Sequence, residues 1–206
     1  MPKQKRLEPA AEANRLDALM SMGADFVKRR IYLFGEINTD SAYRFVTALQ
    51  TMDDGPGPIT VMLSSPGGSE PDGYVIYDAI RLNTNPITIV GYGAVQSIAA
   101  LILQAAHRRW LLPECRFMIH NGSIEFPHGI NTDVAIGIGK ELATNNDNYH
   151  RILADRSGLT QKLVRQLCSE ESYFDAKKSV RYGFADAVLM PDGTTLDAKA
   201  IGGKIQ

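Results

Sequence analysis

A serine attacks a carbonyl only when a neighbouring base takes its proton, and histidine is the side chain whose ordinary titration range suits that task near neutral pH. The chain holds four histidines, His107, His120, His128 and His150. His107 sits beside Arg108 and Arg109, His128 lies in a polar stretch, and His150 falls inside a long helical pattern. Only His120 closes an apolar run, Phe117-Met118-Ile119, where a strand would end and present the ring to a cleft. Its natural counterpart is Ser97, which leads into the apolar run Ile98–Ala106. A helix starting there puts the N–H of Ile98 beside any oxyanion formed on an acyl group carried by Ser97. A third feature is Ser65-Pro66-Gly67-Gly68-Ser69. Adjacent glycines let backbone N–H groups point outward with no Cβ in the way, and such a turn at a helix start can hold a negatively charged oxygen. Together the three describe acyl transfer through a serine.

Each feature also has a plainer reading. Ser97 alone is an N-cap, His120 alone a structural residue at a strand end, and the glycine pair a tight turn needing positive φ. Val95 and Ala99 stand where the Gly-x-Ser-x-Gly elbow requires glycines, so that motif is not present.

The elements that would position these groups follow from hydrophobic patterning. Residues 1–29 read as a polar lead-in and then a helix, with Pro9 near its start and Leu16, Leu19 and Met20 on one stripe. Ile31–Phe34, ended by Gly35, reads as a buried strand, and Asn38-Thr39-Asp40 offers caps for a helix over Ser41–Met52. After the turn-forming stretch 53–58 come a strand at Ile59–Leu63, a helix at Tyr74–Leu82 and a strand at Ile87–Val90. Gly91-Tyr92-Gly93 then reads as a turn leading to Ser97. Trp110–Leu112 and Phe117–His120 are two further strands, and residues 121–131 form a polar loop. Asn131 or Thr132 caps a long helix to about Arg156, stopped by Ser157-Gly158. Shorter helices are expected near 160–168 and 176–182, a last strand at Ala187–Met190, and a loosely packed tail from Pro191. Strand and helix thus alternate as in βαβ units around a largely parallel sheet, where reactive groups collect at strand-to-helix turns.

Composition narrows the class. At 206 residues the chain suits one domain with a sizeable core. A net charge of −1 gives no global pull toward nucleic acid or anionic membrane, and Lys3–Arg6, Lys28–Arg30 and His107–Arg109 read as short solvated stretches. Cys115 and Cys168 make no disulfide framework and have no Cys or His at metal-ligand spacing, so neither a metal nor a cofactor is expected. The N-terminus lacks the apolar core of a signal peptide, and Ile98–Leu103 is far too short to span a bilayer, which points to the cytoplasm.

From about Arg30 to Met190 the chain resembles the proteolytic subunit of Clp protease. Ser65–Ser69 looks like that family's Ser-Pro-Gly-Gly-Ser turn, and Gly93–Ser97 resembles its nucleophile segment, with Ala94, Val95 and Gln96 differing. Arg116–His120 is close to its Arg-Ile-Met-Ile-His strand, Thr132-Asp133 to the opening of its long handle helix, and Phe174–Asp186 to its closing helix and strand. The resemblance implies an α/β, ClpP/crotonase-like fold of repeated ββα and βαβ units with a protruding handle helix. Residues 1–29 are then a helical or flexible N-terminal segment, 30–190 the peptidase domain, and 191–206 a C-terminal tail. It implies a Ser-His-acid endopeptidase with Ser97 and His120 as nucleophile and base, and the N–H groups of Gly68 and Ile98 as oxyanion hole. It further implies homo-oligomeric seven-membered rings stacked as a tetradecamer around a chamber, to which a ring-shaped AAA+ unfoldase delivers unfolded polypeptides.

Three positions depart from the family's pattern. Glu171 stands at the third triad position in place of Asp, with Glu170 and Asp175 nearby. Pro127, in the stretch that follows the histidine, cannot donate a ladder hydrogen bond. Residues 1–29 do not resemble the family's N-terminal gating segment. A non-catalytic ring subunit and a crotonase-type acyl-CoA enzyme are the competing expectations.

Overall fold

The structure is a computed structural model and describes residues 8–53, 55–124, 129 and 131–205. Its sheet is built in chain order from β1 (Ala24–Asp25), β2 (Arg30–Phe34), β3 (Ile59–Ser65), β4 (Ile87–Gln96), β5 (Arg108–Leu111), β6 (Arg116–Ile119), β7 (Ser172–Phe174), β8 (Ala187–Leu189) and β9 (Thr195–Asp197). The helices are α1 (Pro9–Met22), α2 (Thr39–Asp53), α3 (Glu70–Leu82), α4 (Ile98–Ala105), α5 (Thr132–Ser157), α6 (Gln161–Ser169) and α7 (Ala176–Arg181). β2, β3, β4, β5 and β8 pair in parallel, as the strand–helix alternation predicts.

β4 is the organising strand. Its first half, Thr88–Gly91, pairs with β5, while its second half, Ala94–Gln96, pairs with β6. The sheet therefore forks along one strand, and the β6–β7 pair forms the branch. The fork falls in the stretch that reads as a turn in sequence. Gly91-Tyr92-Gly93 continues the strand with an irregularity, because β3 pairs Leu63 with Gly91 but Ser65 with Val95. Gly91 stands at the crowded point, where an added Cβ would meet Leu111 Cδ2 at 2.6 Å and Val95 Cγ2 at 2.8 Å.

α4 is apolar apart from Gln104 and every residue of it is buried, as expected of a helix packed on several sides. The long helix α5 is capped by Asn131, whose side chain accepts from Val134 N, and ends at Gly158 in the left-handed conformation. Its last turns are buried through Tyr149, His150, Ile152 and Leu153, while Val134 and Ile136 near its start are exposed.

Two expectations change. The tail from Pro191 is not simply loose: β9 pairs antiparallel with β8, and Ile205 N donates to Arg181 O at 2.8 Å. Arg109 is not a solvated charge but is 5% exposed. Its guanidinium reaches Asp186, Gln104 Oε1 and the carbonyls of Gly183 and Arg156. A buried guanidinium is tolerated when its N–H groups are answered in this way.

Candidate active site

Parallel register brings the serine and the histidine together. β4 and β6 pair Ala94 with Arg116, Val95 with Phe117 and Gln96 with Met118. One step further, Ser97 N donates to Met118 O at 3.0 Å, and His120 follows directly. The chain turns sharply at Ser97, with φ 55° and ψ −127°. A non-glycine residue held at positive φ stores about 1–3 kcal/mol, and such strain concentrates at functional sites. The Ser97 hydroxyl makes no capping hydrogen bond to α4. Its Oγ instead lies 2.8 Å from His120 Nε2. The Ser97 carbonyl is held by Ala100 N at 2.9 Å and by the Tyr149 hydroxyl at 3.0 Å. Tyr149 is not apparent as a site residue in the sequence, where it reads as one apolar position of a long helix. The available signal is that a buried tyrosine hydroxyl needs a partner.

The double-glycine turn packs directly on the serine. Gly67 has φ 106°, and a Cβ there would lie 2.5 Å from Ser97 Cβ and 3.0 Å from its Oγ. Gly68 has φ 142° and forms an isolated parallel bridge with Ile37, leaving no room for a side chain. Gly67 N donates to Ser65 Oγ at 3.0 Å, and Ser69 N donates to Ile37 O at 2.8 Å. Among the described residues the N–H groups of Gly68 and Ile98 have no acceptor. Both flank Ser97, one on the turn and one at the start of α4. Gly73 lets α3 approach α4, since a Cβ there would overlap Ile98 Cγ1 and lie 3.1 Å from its Cδ1.

The residues after His120 are tied to α5 and α6. Asn121 N donates to Cys168 O at 3.2 Å, and Gly122 N donates to Asn146 Oδ1 at 2.8 Å. His150 Nε2 lies 2.8 Å from Asn121 Oδ1, so the ring donates from that nitrogen. Burial, and then the Arg165 charge, push the His150 imidazole below its ordinary range, which keeps it neutral. His128 and Pro127 lie outside the described residues.

Glu171 and His120 lie just beyond the end of the β6–β7 pairing. The two strands pair antiparallel as Phe117 with Phe174, Met118 with Tyr173 and Ile119 with Ser172, and Glu171 then leaves the strand with φ 52°. The Glu171 carboxylate, however, accepts the Tyr173 hydroxyl at 2.8 Å, and that bond holds the phenol above its ordinary pKa. No hydrogen bond joins Glu171 to His120 among the described residues. The neighbouring acids are otherwise engaged: Glu170 accepts from Gln166, and Asp175 caps α7 through Lys178 N at 2.7 Å.

Ser97, His120 and Gly68 line one cleft of about 480 Å³, together with Ile138 and Leu142 of α5. Among the described residues no cluster of His, Cys, Asp and Glu could hold a metal ion, and no helix is long and apolar enough to cross a membrane.

Comparison with known proteins agrees with this geometry. The family model for Clp protease matches residues 14–192. The ATP-dependent Clp protease proteolytic subunit 2 of Treponema denticola is 31% identical over 185 residues, covering 88% of this chain and 90% of the relative. Proteolytic subunit 2 of Pseudomonas aeruginosa is 28% identical over 172 residues, covering 80% and 82%. Among solved structures, a ClpP1 variant from Listeria monocytogenes superposes with a TM-score of 0.72 at 25% identity, covering 82% of this chain and 95% of that one. With nearly the whole described chain inside the family model, the chain belongs to the Clp protease family and is a serine peptidase of ClpP-like fold.

Proposed function

We propose that Ser97 is the nucleophile, His120 the general base, Glu171 the acid that orients His120, and the N–H groups of Gly68 and Ile98 the oxyanion hole of an ATP-dependent endopeptidase acting on unfolded polypeptides. The observation that carries the reading is the 2.8 Å contact between Ser97 Oγ and His120 Nε2. In the acylation step Oγ bonds to the substrate carbonyl carbon while its proton passes to His120. The carbonyl oxygen becomes negative and meets the two unpartnered amides, which cost no reorganisation when the charge develops. The C–N bond then breaks, and His120 returns the proton to the leaving amine. In deacylation His120 takes a proton from water, the resulting hydroxide attacks the ester, and Ser97 leaves with the proton.

The position of Glu171 and His120 just beyond the last β6–β7 pair, Ile119 with Ser172, supports Glu171 as the third member, and rotation of its side chain from Tyr173 to His120 would complete the chain of hydrogen bonds. The engagement of Glu171 by Tyr173 also favours a second reading, a non-catalytic ring subunit. Two features support assembly into seven-membered rings stacked as a tetradecamer with an AAA+ unfoldase. The relatives are named as subunits of an ATP-dependent protease, and Val134 and Ile136 stand exposed on the long helix. Two free, buried thiols suit a reducing compartment such as the cytoplasm.

A fluorophosphonate applied to the purified assembly is expected to label Ser97, and Ser97→Ala to abolish both labelling and peptide cleavage, a loss of several orders of magnitude. Cleavage that survives unchanged in Ser97→Ala refutes the assignment. An assembled wild-type ring that neither labels nor cleaves supports the non-catalytic reading.

A further inference from the structure

We propose that Glu70 makes this cleft selective for substrates with a lysine or arginine at the residue whose carbonyl is attacked. The inference rests on Ser97 and His120 being the reacting pair. Glu70 opens α3, two residues beyond Gly68, and lines the same cleft as Ser97 and His120. Its side chain turns across the cleft to Gly122, where Oε1 occupies the space that a Cβ at Gly122 would need. A carbonyl seated between Ser97 Oγ and the amide of Gly68 therefore has the Glu70 carboxylate within a side chain's length of its own Cα.

The charge there is unanswered. Among the described residues no group donates a hydrogen bond to Glu70 and no cation pairs with it, although six arginine–carboxylate ion pairs occur elsewhere. Among the described residues the only other ionisable side chains lining the cleft are His120 and the exposed Glu141 of α5, and no lysine or arginine lines it. Burial pushes the Glu70 carboxyl up, and the neighbouring His120 draws it partly back. A half-buried carboxylate lacking a partner is stabilised by an arriving cation, and a charge-assisted contact of this kind is roughly twice as strong as a neutral one. The methylene stem of a lysine or arginine would meanwhile lie against Ile138 and Leu142, which also line the cleft.

The test is the rate at which two peptidyl phosphonates modify Ser97 in the assembled full chain. One carries a lysine-like and the other a leucine-like side chain beside the phosphorus, and a small fluorophosphonate runs in parallel. The lysine-like probe is expected to react about tenfold or more faster in the wild type. That ratio is expected to fall to near one in Glu70→Gln and to reverse in Glu70→Lys. A wild-type ratio at or below one, with the small fluorophosphonate still labelling Ser97, overturns the selectivity alone. So does a Glu70→Gln variant that slows both probes equally, because Glu70 would then act through His120. Failure of the small probe to label the wild type refutes the peptidase reading and takes this inference with it.

Discussion

Glu171 accepts the Tyr173 hydroxyl two residues further along the chain, while among the described residues the His120 imidazole has only Ser97 as a hydrogen-bond partner. If the carboxylate works by moving from the phenol to His120, the two neighbours must respond oppositely. Glu171→Gln keeps the size but removes the charge that stabilises an imidazolium, and is expected to lower the rate of Ser97 labelling at least tenfold. Tyr173→Phe releases the carboxylate and is expected to leave labelling equal or faster. Slower labelling in Tyr173→Phe, with the fold intact by circular dichroism, would assign the phenol rather than the carboxylate to the site. Ser97 and His120 are legible in the sequence because each ends or begins an apolar run, so each must stand at an element boundary. The Glu171–Tyr173 bond is not legible, because it requires β7, a strand of only three residues whose one buried side chain gives no period to detect. Glu70 is hidden for another reason: with the helix read as starting at Tyr74, Glu70 falls in the turn before it, where no helical period aims it at the cleft.

α3 and α4 approach across a glycine that helix propensity disfavours. Alanine at an ordinary helix position gains about 1 kcal/mol over glycine. At Gly73 the added methyl would enter the Ile98 side chain, on the residue whose N–H flanks the nucleophile. Gly73→Ala is therefore expected to lower the melting temperature and to slow Ser97 labelling despite its better propensity. Ile98→Ala in the same chain removes the overlap, so the double variant should be more stable than the sum of the single changes, with a coupling of about 1 kcal/mol or more. Strict additivity would show that the two helices do not meet there. Patterning finds five of the seven helices to within about two residues at both ends, because stripes and caps mark them. The exceptions are α1, whose end at Met22 the sequence leaves open, and the start of α3, at Glu70 rather than Tyr74, where Gly73 hides the first turn. The fork in β4 is misread as a turn because Gly91 and Gly93 signal a break, whereas here glycine answers a close approach of neighbouring side chains.

Across the whole molecule, the Arg109–Asp186 pair ties the last third of the chain to the sheet. Burial alone would raise the Asp186 carboxyl, but the Arg109 guanidinium and backbone N–H hold it below its ordinary value of 3.8. A depressed carboxyl contributes stability that is present above its unfolded-state pKa and is lost as pH falls through the lower folded-state value. Asp186→Asn is accordingly expected to melt earlier than the wild type at pH 7, with the gap closing as pH falls below 3.8. Orphaning a buried charge costs about 3–5 kcal/mol, and the low end applies because the Asp186 side chain is 41% exposed. A gap that stays constant with pH would show that packing rather than charge holds the segment. Arg109 reads as a solvated residue in the sequence because its four acceptors come from Gln104, Arg156, Gly183 and Asp186, and no local pattern announces such a convergence.

The order in which the ribosome releases these parts has a consequence for the cell. Ser97 and its helix emerge well before Tyr149, which clamps the serine's carbonyl, and before Ser172–Phe174, which brace the strand leading to the histidine. A nascent chain carrying the nucleophile therefore lacks the supports that hold the reacting pair in place. If Ser97 and His120 are the reacting pair, translation itself delays their alignment until most of the polypeptide has been made.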